Sequence, residues 1–221
     1  MFRHILYYVT SVFLLLHPSV CYSTDYKPDK ETEKRIEALL GKMTLEEKIG
    51  QMNQLHCENF PYLKAETRKG RVGSVMSITD PNIFNEVQRI AVEDSRLGIP
   101  LINARDVIHG FKTIFPIPLG QAASFNPEIA ETGARIAATE ASAAGIRWTF
   151  APMIDITHDP RWGRIAEGFG EDPLLVSQMG VAAIKGFQGS SLNHPTSIAA
   201  CAKHFAVHSG PEWNRHSFNA E

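Results

Sequence analysis

The sequence predicts an α/β chain that builds the N-terminal portion of a (β/α)8 TIM-type barrel, an incomplete barrel. Three observations carry this. Apolar strand-like runs alternate with amphipathic helical runs, the order of a parallel sheet connected by helices. The strand runs are mostly apolar throughout, as strands covered on both faces are. Charged residues stand where those runs end, at Asp106, Asp155 and Lys203, and barrel enzymes build their sites at that rim. A doubly wound sheet shares the first two features. No GxGxxG or GxxxxGK[ST] loop follows any strand, which weighs against a nucleotide-binding sheet. The chain of 221 residues is short for a whole barrel.

The elements follow in order. Residues 1–23 carry Arg3, an apolar run densest at 12–16, then Pro18 and small residues; this is the layout of a secretory signal peptide, and the run is too short to span a membrane comfortably. Residues 24–43 form a polar lead-in and a first helix, with Ile36, Leu39, Leu40 and Met43 at helical spacing. Residues 44–221 form the barrel portion. It opens on a capping box, Thr44 with Glu47, and a helix toward Gln54. A weaker strand is expected around 51–57. Strands follow at 72–78, 99–103, 148–156 and 196–202. Between them Asp80-Pro81, Asn126-Pro127 and Asp172-Pro173 each pair a capping side chain with a proline suited to the first helical turn.

Composition narrows the partners. The formal net charge is −2 with charges interspersed, which gives no reason to expect a nucleic acid or a membrane partner beyond the leader. Cys21, Cys57 and Cys201 make neither a disulfide framework nor a metal pattern. Cys201 reads as a small buried residue. Neither a cofactor nor a metal is expected; His109, His158, His204 and His208 lack HxH or HExxH spacing.

Three stretches hold candidate chemistry. In "NARDVIHG" Asp106 ends a strand; it either accepts hydrogen bonds from a polar ligand or pairs with Arg105. "HDPRWGRIAEGFGEDP", 158–173, is too rich in Gly and charge for a regular element and is expected to be a structured loop. There Arg161 and Arg164 either brace Asp155, Asp159, Glu167 or Glu171, or contact a ligand, and one of each is expected. Trp162 and Phe169 either stack on a sugar or pin the loop. In "CAKHFAVHSG" Lys203 and His204 end an apolar run. Lys203 is read as a Schiff-base nucleophile, a strut or a donor to a neutral substrate, and His204 as a base, a donor or a ligand.

Four stretches together resemble the N-terminal domain of family 3 glycoside hydrolases: "MTLEEKIGQM" (43–52), "IPLINARDVIHGFKTIFPIPLG" (99–120), "APMIDITHDPRWGRIAEGFGEDP" (151–173) and "AKHFAVHSG" (202–210). The resemblance implies a retaining exo-acting β-glucosidase that releases terminal glucosyl residues, with a β-xylosidase as the alternative. It implies that Asp106, Arg164, Lys203 and His204 bind hydroxyls of the sugar. Adjacent strand residues face opposite ways, so Lys203 and His204 reach one sugar only across a distortion; the resemblance suggests a cis peptide at Lys203-His204 or Phe205-Ala206.

The resemblance places no catalytic residue in this chain. Its nucleophile Asp and acid/base Glu are expected downstream of Glu221, and retaining hydrolysis needs the two carboxylates about 5 Å apart. Asp155 and Glu167 match structural positions of the motif. The chain alone is therefore expected to be inactive, with an oligosaccharide or aryl β-glycoside as partner of the whole enzyme and an exported, periplasmic or extracellular location. An N-acetylglucosaminidase fits less well: "AVHSGPEW" departs from a "PGHG"-like loop, although His208 keeps a histidine nearby. From other classes, a Schiff-base lyase using Lys203 predicts borohydride trapping, and a non-catalytic sugar-binding module predicts binding without turnover.

Overall fold

Most helices in the described residues begin where a short polar side chain takes over a free backbone N–H. The computed structural model describes residues 29–56, 58–205 and 208. The leader region 1–23, Cys21, Cys57 and the peptide after Phe205 lie outside them. α1 spans Lys30–Lys42 and belongs to a compact unit separate from the one that starts at Met43. None of its residues is buried, so its helically spaced Ile36 and Leu40 are exposed.

In the second unit α2 spans Leu45–Gln51 behind the expected capping box. Thr44 Oγ1 accepts from Glu47 N at 3.2 Å, and Glu47 Oε2 accepts from Thr44 N at 2.9 Å. Asp80 caps α4 (Pro81–Arg89), Asn126 caps α6 (Pro127–Ala143) and Asp172 caps α7 (Pro173–Gln188), each with proline in the first turn. Two helices were not foreseen: α3 (Phe60–Arg68), capped by Asn59, and the short α5 (Pro118–Ala122). α4 is shorter than its apolar period, because residues 90–94 widen into a π turn.

The strands are β1 (Gln54–His56), β2 (Ser74–Met76), β3 (Ile102–Arg105) and β4 (Trp148–Thr149). They form one parallel sheet in the order β1-β2-β3-β4, each pairing with its successor. Unbroken sequential order belongs to a barrel, whereas a doubly wound sheet reverses at a switch point. The described residues thus form part of a TIM-type barrel, with β1 supplying the weak strand expected at 51–57.

Strand pairing is shorter than the apolar runs. The 148–156 run leaves the ladder after Thr149; Pro152 has no N–H to donate, and pairing returns as a single parallel bridge between Met153 and Lys203. The strand expected at 196–202 is reduced to isolated pairs: Thr196 lies in a turn, and the run bridges one residue at a time, at Ala199 with Trp148 and then at Lys203. It still follows the sheet edge, through Thr149 N to Ala199 O at 2.8 Å and Cys201 N to Ala151 O at 2.9 Å. Cys201 is a free, half-buried thiol rather than a buried one.

Two apolar clusters sit behind the sheet. One packs Leu63, Val72, Val75, Phe84, Val87 and Leu101 around β2. The other brings small residues together where α6 meets α7, among them Ala134, Ala137, Ala138, Ala141, Ala182 and Ala183, beside larger side chains such as Met179 and Phe187. Among the described residues no helix is long and apolar enough to cross a membrane.

Candidate functional site at the strand mouth

The four residues singled out for sugar contact come from three separated stretches and meet where β3, the 150s segment and the 198–204 segment end. Asp106 follows β3 directly. Its position is set from both sides: Phe150 N donates to Arg105 O at 3.2 Å, and Val107 N donates to the buried Thr149 Oγ1 at 3.1 Å. Its Oδ1 accepts from Lys203 Nζ at 2.9 Å. The partner of Asp106 is thus Lys203. Arg105 instead lies over the Phe111 ring, 5.9 Å from its centroid.

Lys203 is held by backbone bonds on both sides, Lys203 N to Pro152 O at 3.0 Å and Ile154 N to Lys203 O at 2.7 Å. The Lys203–His204 peptide is cis, one of the two places considered for a distortion. Across it Lys203 reaches Asp106, while His204 Nδ1 donates to Asp155 Oδ2 at 2.8 Å. An ionised carboxylate only accepts, so the proton of this bond sits on Nδ1. Nε2 of the same ring faces Arg164 Nη1 at 3.4 Å. A guanidinium only donates, so Nε2 receives. These contacts orient the ring, with Nδ1 toward Asp155 and Nε2 toward Arg164.

Arg164 is braced by Glu167 through two parallel bonds, Nε to Oε1 and Nη2 to Oε2, each 2.7 Å. That fork holds the Glu167 carboxyl below its ordinary range and raises the guanidinium further. The remaining nitrogen, Nη1, points at two imidazoles: His204 Nε2, and His208 Nε2 at 3.1 Å. Arg164 is both strut and site residue. Arg161 is a second strut, paired with Asp159, and Asp159 is lowered to about 2, chiefly by that side chain. Asp155 and Glu167 serve His204 and Arg164, the supporting roles expected of them.

Trp162 and Phe169 are 1% and 4% exposed. They pin the loop, which corrects the stacking alternative. His109 Nδ1 lies 2.9 Å from Phe115 O and closes its own loop. Among the described residues no group of His, Cys, Asp or Glu could hold a metal ion.

The reading of residues did not place His208 at the site. Its ring centroid lies 3.7 Å from that of His204 and 5.8 Å from that of Trp162. Burial is the main cause lowering its pKa, with the neighbouring His204 second. A four-residue interval after His204 was the only available signal, and outside a helix that interval fixes no common face.

Comparisons with known proteins agree on one family. The model of the glycosyl hydrolase family 3 N-terminal domain matches residues 44–218. A periplasmic β-glucosidase of Salmonella typhimurium is 41% identical over 183 residues, which cover 80% of this chain and 24% of that protein. A xylan 1,4-β-xylosidase of Xylanibacter ruminicola is 44% identical over 127 residues, covering 50% of this chain and 14% of the other. A β-glucosidase from Listeria innocua, solved in complex with glucose, superposes with a TM-score of 0.72 at 39% identity, covering 78% of this chain and 26% of that one. The chain spans about a quarter of the length of the first curated relatives it matches, 24% and 26%.

Proposed function

This chain belongs to glycosyl hydrolase family 3, and on that premise we propose that its strand mouth grips the terminal sugar of a β-glucoside. Asp106 accepts from sugar hydroxyls; Lys203 and Arg164 donate to them. His204 completes the set. The observation that carries the reading is the convergence of these four side chains from three separated stretches into two contacting pairs, Asp106 with Lys203 and Arg164 with His204, joined through the adjacent Lys203 and His204.

The chemistry suits a neutral, hydroxyl-rich ligand. A sugar brings no charge to be stripped of water, while hydrogen bonds to ionised groups are stronger than neutral ones. A site built to bond a hydroxyl also rejects an analogue that lacks it. Asp106 is paired with Lys203, and His204 with Asp155 and Arg164, so a sugar exchanges contacts at the mouth rather than filling bare positions.

The reading assigns the two reacting carboxylates of retaining hydrolysis to no residue of this chain. Asp155 and Glu167 are each engaged with a cationic or donor partner, and that engagement suits support rather than attack. A β-xyloside is the second reading, favoured by the relative named a xylan 1,4-β-xylosidase. Export through residues 1–23 belongs to the same proposal and is supported by the relative named as periplasmic.

The test is calorimetric titration of the full chain with glucose and with xylose, beside an aryl β-glucoside assay. Binding without turnover is expected, and Lys203→Met is expected to weaken it about tenfold. If the folded chain binds neither sugar, the reading fails. If it hydrolyses the aryl glucoside, a carboxylate of this chain reacts and the assignment above is wrong.

A further inference from the structure

Arg164 presents a single nitrogen, Nη1, to two imidazoles. The fork to Glu167 engages Nε and Nη2 and fixes the plane of the guanidinium, and Nη1 is the nitrogen turned toward the imidazoles. His204 is tied to Asp155 on its far side and lies 3.4 Å from Nη1, at the long limit of a hydrogen bond. The shorter contact, 3.1 Å, is to His208. The His208 ring is in turn set by the His204 ring on one side and the buried Trp162 edge on the other.

We propose that His208 is a positioning residue for the sugar grip: by accepting from Arg164 Nη1 it fixes where that guanidinium tip stands beside His204. This rests on the sugar reading given above. The arrangement works only while Nε2 of His208 has a free lone pair, because a guanidinium cannot donate to an imidazolium. The titratable and charged groups facing the ring are Arg164, His204, Asp155 and Glu167. Burial, with the Arg164 guanidinium beside it, favours the neutral ring, so the acceptor is kept at neutral pH and lost on acidification. His208 acts through Arg164 and holds no bond that breaks or forms.

The experiment compares wild type, His208→Ala and His208→Gln by calorimetric titration with glucose and xylose. Glutamine offers a carbonyl oxygen near the place of Nε2 and does not titrate. At neutral pH, His208→Ala is expected to weaken sugar binding about tenfold, and His208→Gln to stay within about twofold of wild type. On going from about pH 7.5 to about pH 5, wild type is expected to lose more affinity than His208→Gln. Alanine binding as well as wild type, or glutamine binding as poorly as alanine, overturns the proposal. Should His208→Ala fail to fold, the pH comparison of wild type with His208→Gln decides alone, and parallel profiles overturn it. A folded wild type that binds no sugar overturns the sugar reading instead. In that case histidine NMR still tests the contact: a His208 titration unchanged by Arg164→Lys removes it.

Discussion

The seam between α6 and α7 and the strand mouth around Lys203 are held together by opposite means. In the seam, Ala137, Ala138 and Ala141 are at most 1% exposed, and the two helix backbones approach too closely for any larger residue. A Cβ added at Gly186 would lie 2.7 Å from Ala134 Cβ and would run into the carbonyl oxygen of Glu131. Small apolar surfaces leave no polar group to satisfy there and no slack. At the mouth, long charged side chains satisfy one another and remain partly wet; the Asp106 side chain is 51% exposed. On the sugar reading proposed above, stability and substrate contact are separable in this molecule, and substitutions in the two regions are expected to have opposite signatures.

The largest expected effect tests the seam. Gly186→Leu forces α6 and α7 apart along their shared face, and should cost about 3 kcal/mol or more, enough to abolish a cooperative melt in a marginal domain. Circular dichroism during thermal unfolding reads it directly. A melt indistinguishable from wild type means that the helices do not meet as closely as described.

Asp155→Ala tests the boundary between the regions. The Asp155 side chain is 4% exposed and accepts from His204 Nδ1 at 2.8 Å. Its removal leaves a half-buried donor without its acceptor, a loss of about 1–3 kcal/mol. Sugar affinity should fall with it, because the tautomer of His204 is no longer fixed. Loss of stability with unchanged affinity would place Asp155 with the seam rather than with the mouth.

The two regions were also unequally legible in the sequence. The helices bounding the seam could be located from Asn126-Pro127 and Asp172-Pro173, since cap chemistry is local. Their intimacy could not, because alanine and glycine at helical spacing do not say which partner they face. The α3 helix escaped because Asn59 caps a segment with little apolar period, and α5 because it is a single turn after Ile117. At the mouth, the motif resemblance singles out Asp106, Arg164, Lys203 and His204, and these side chains do come together in space. What it could not supply was pairing. Arg161 and Arg164 look alike in sequence, yet Arg164 turns its Nη1 toward His204 and His208 while Arg161 is paired with Asp159. His208 enters through space, from a stretch with no regular period.

Acid provides a smaller perturbation that should bypass the seam. None of the seam alanines titrates, whereas Glu47 is lowered from 4.5 to about 2, first by the Arg96 side chain and then by Thr44 N–H. A carboxyl depressed in the folded state stabilises the fold above its unfolded value and loses that contribution as pH falls through its folded value. Wild type should therefore exceed Arg96→Gln in stability near neutral pH, and the gap should close between pH 4.5 and about 2. Urea unfolding at a series of pH values measures the gap. A gap independent of pH would mean that Arg96 acts through packing rather than through the charge of Glu47.

The smallest expected change in stability comes from Lys203→Met, and for that reason it sharpens the comparison most. Lys203 Nζ has its carboxylate partner in Asp106, and the loss of that partner leaves Asp106 half-exposed and free to be hydrated. Pairs of this kind contribute at most about 1 kcal/mol, and methionine keeps most of the buried stem of lysine, which packs as an apolar chain. The melt should move little. Sugar affinity should still drop about tenfold, because a donor to a hydroxyl has gone while its surroundings stay in place. A variant that unfolds early would show that the mouth supports the barrel as the seam does. A variant that keeps both its melt and its affinity would remove Lys203 from the grip and leave the Lys203–Asp106 pair as a surface strut.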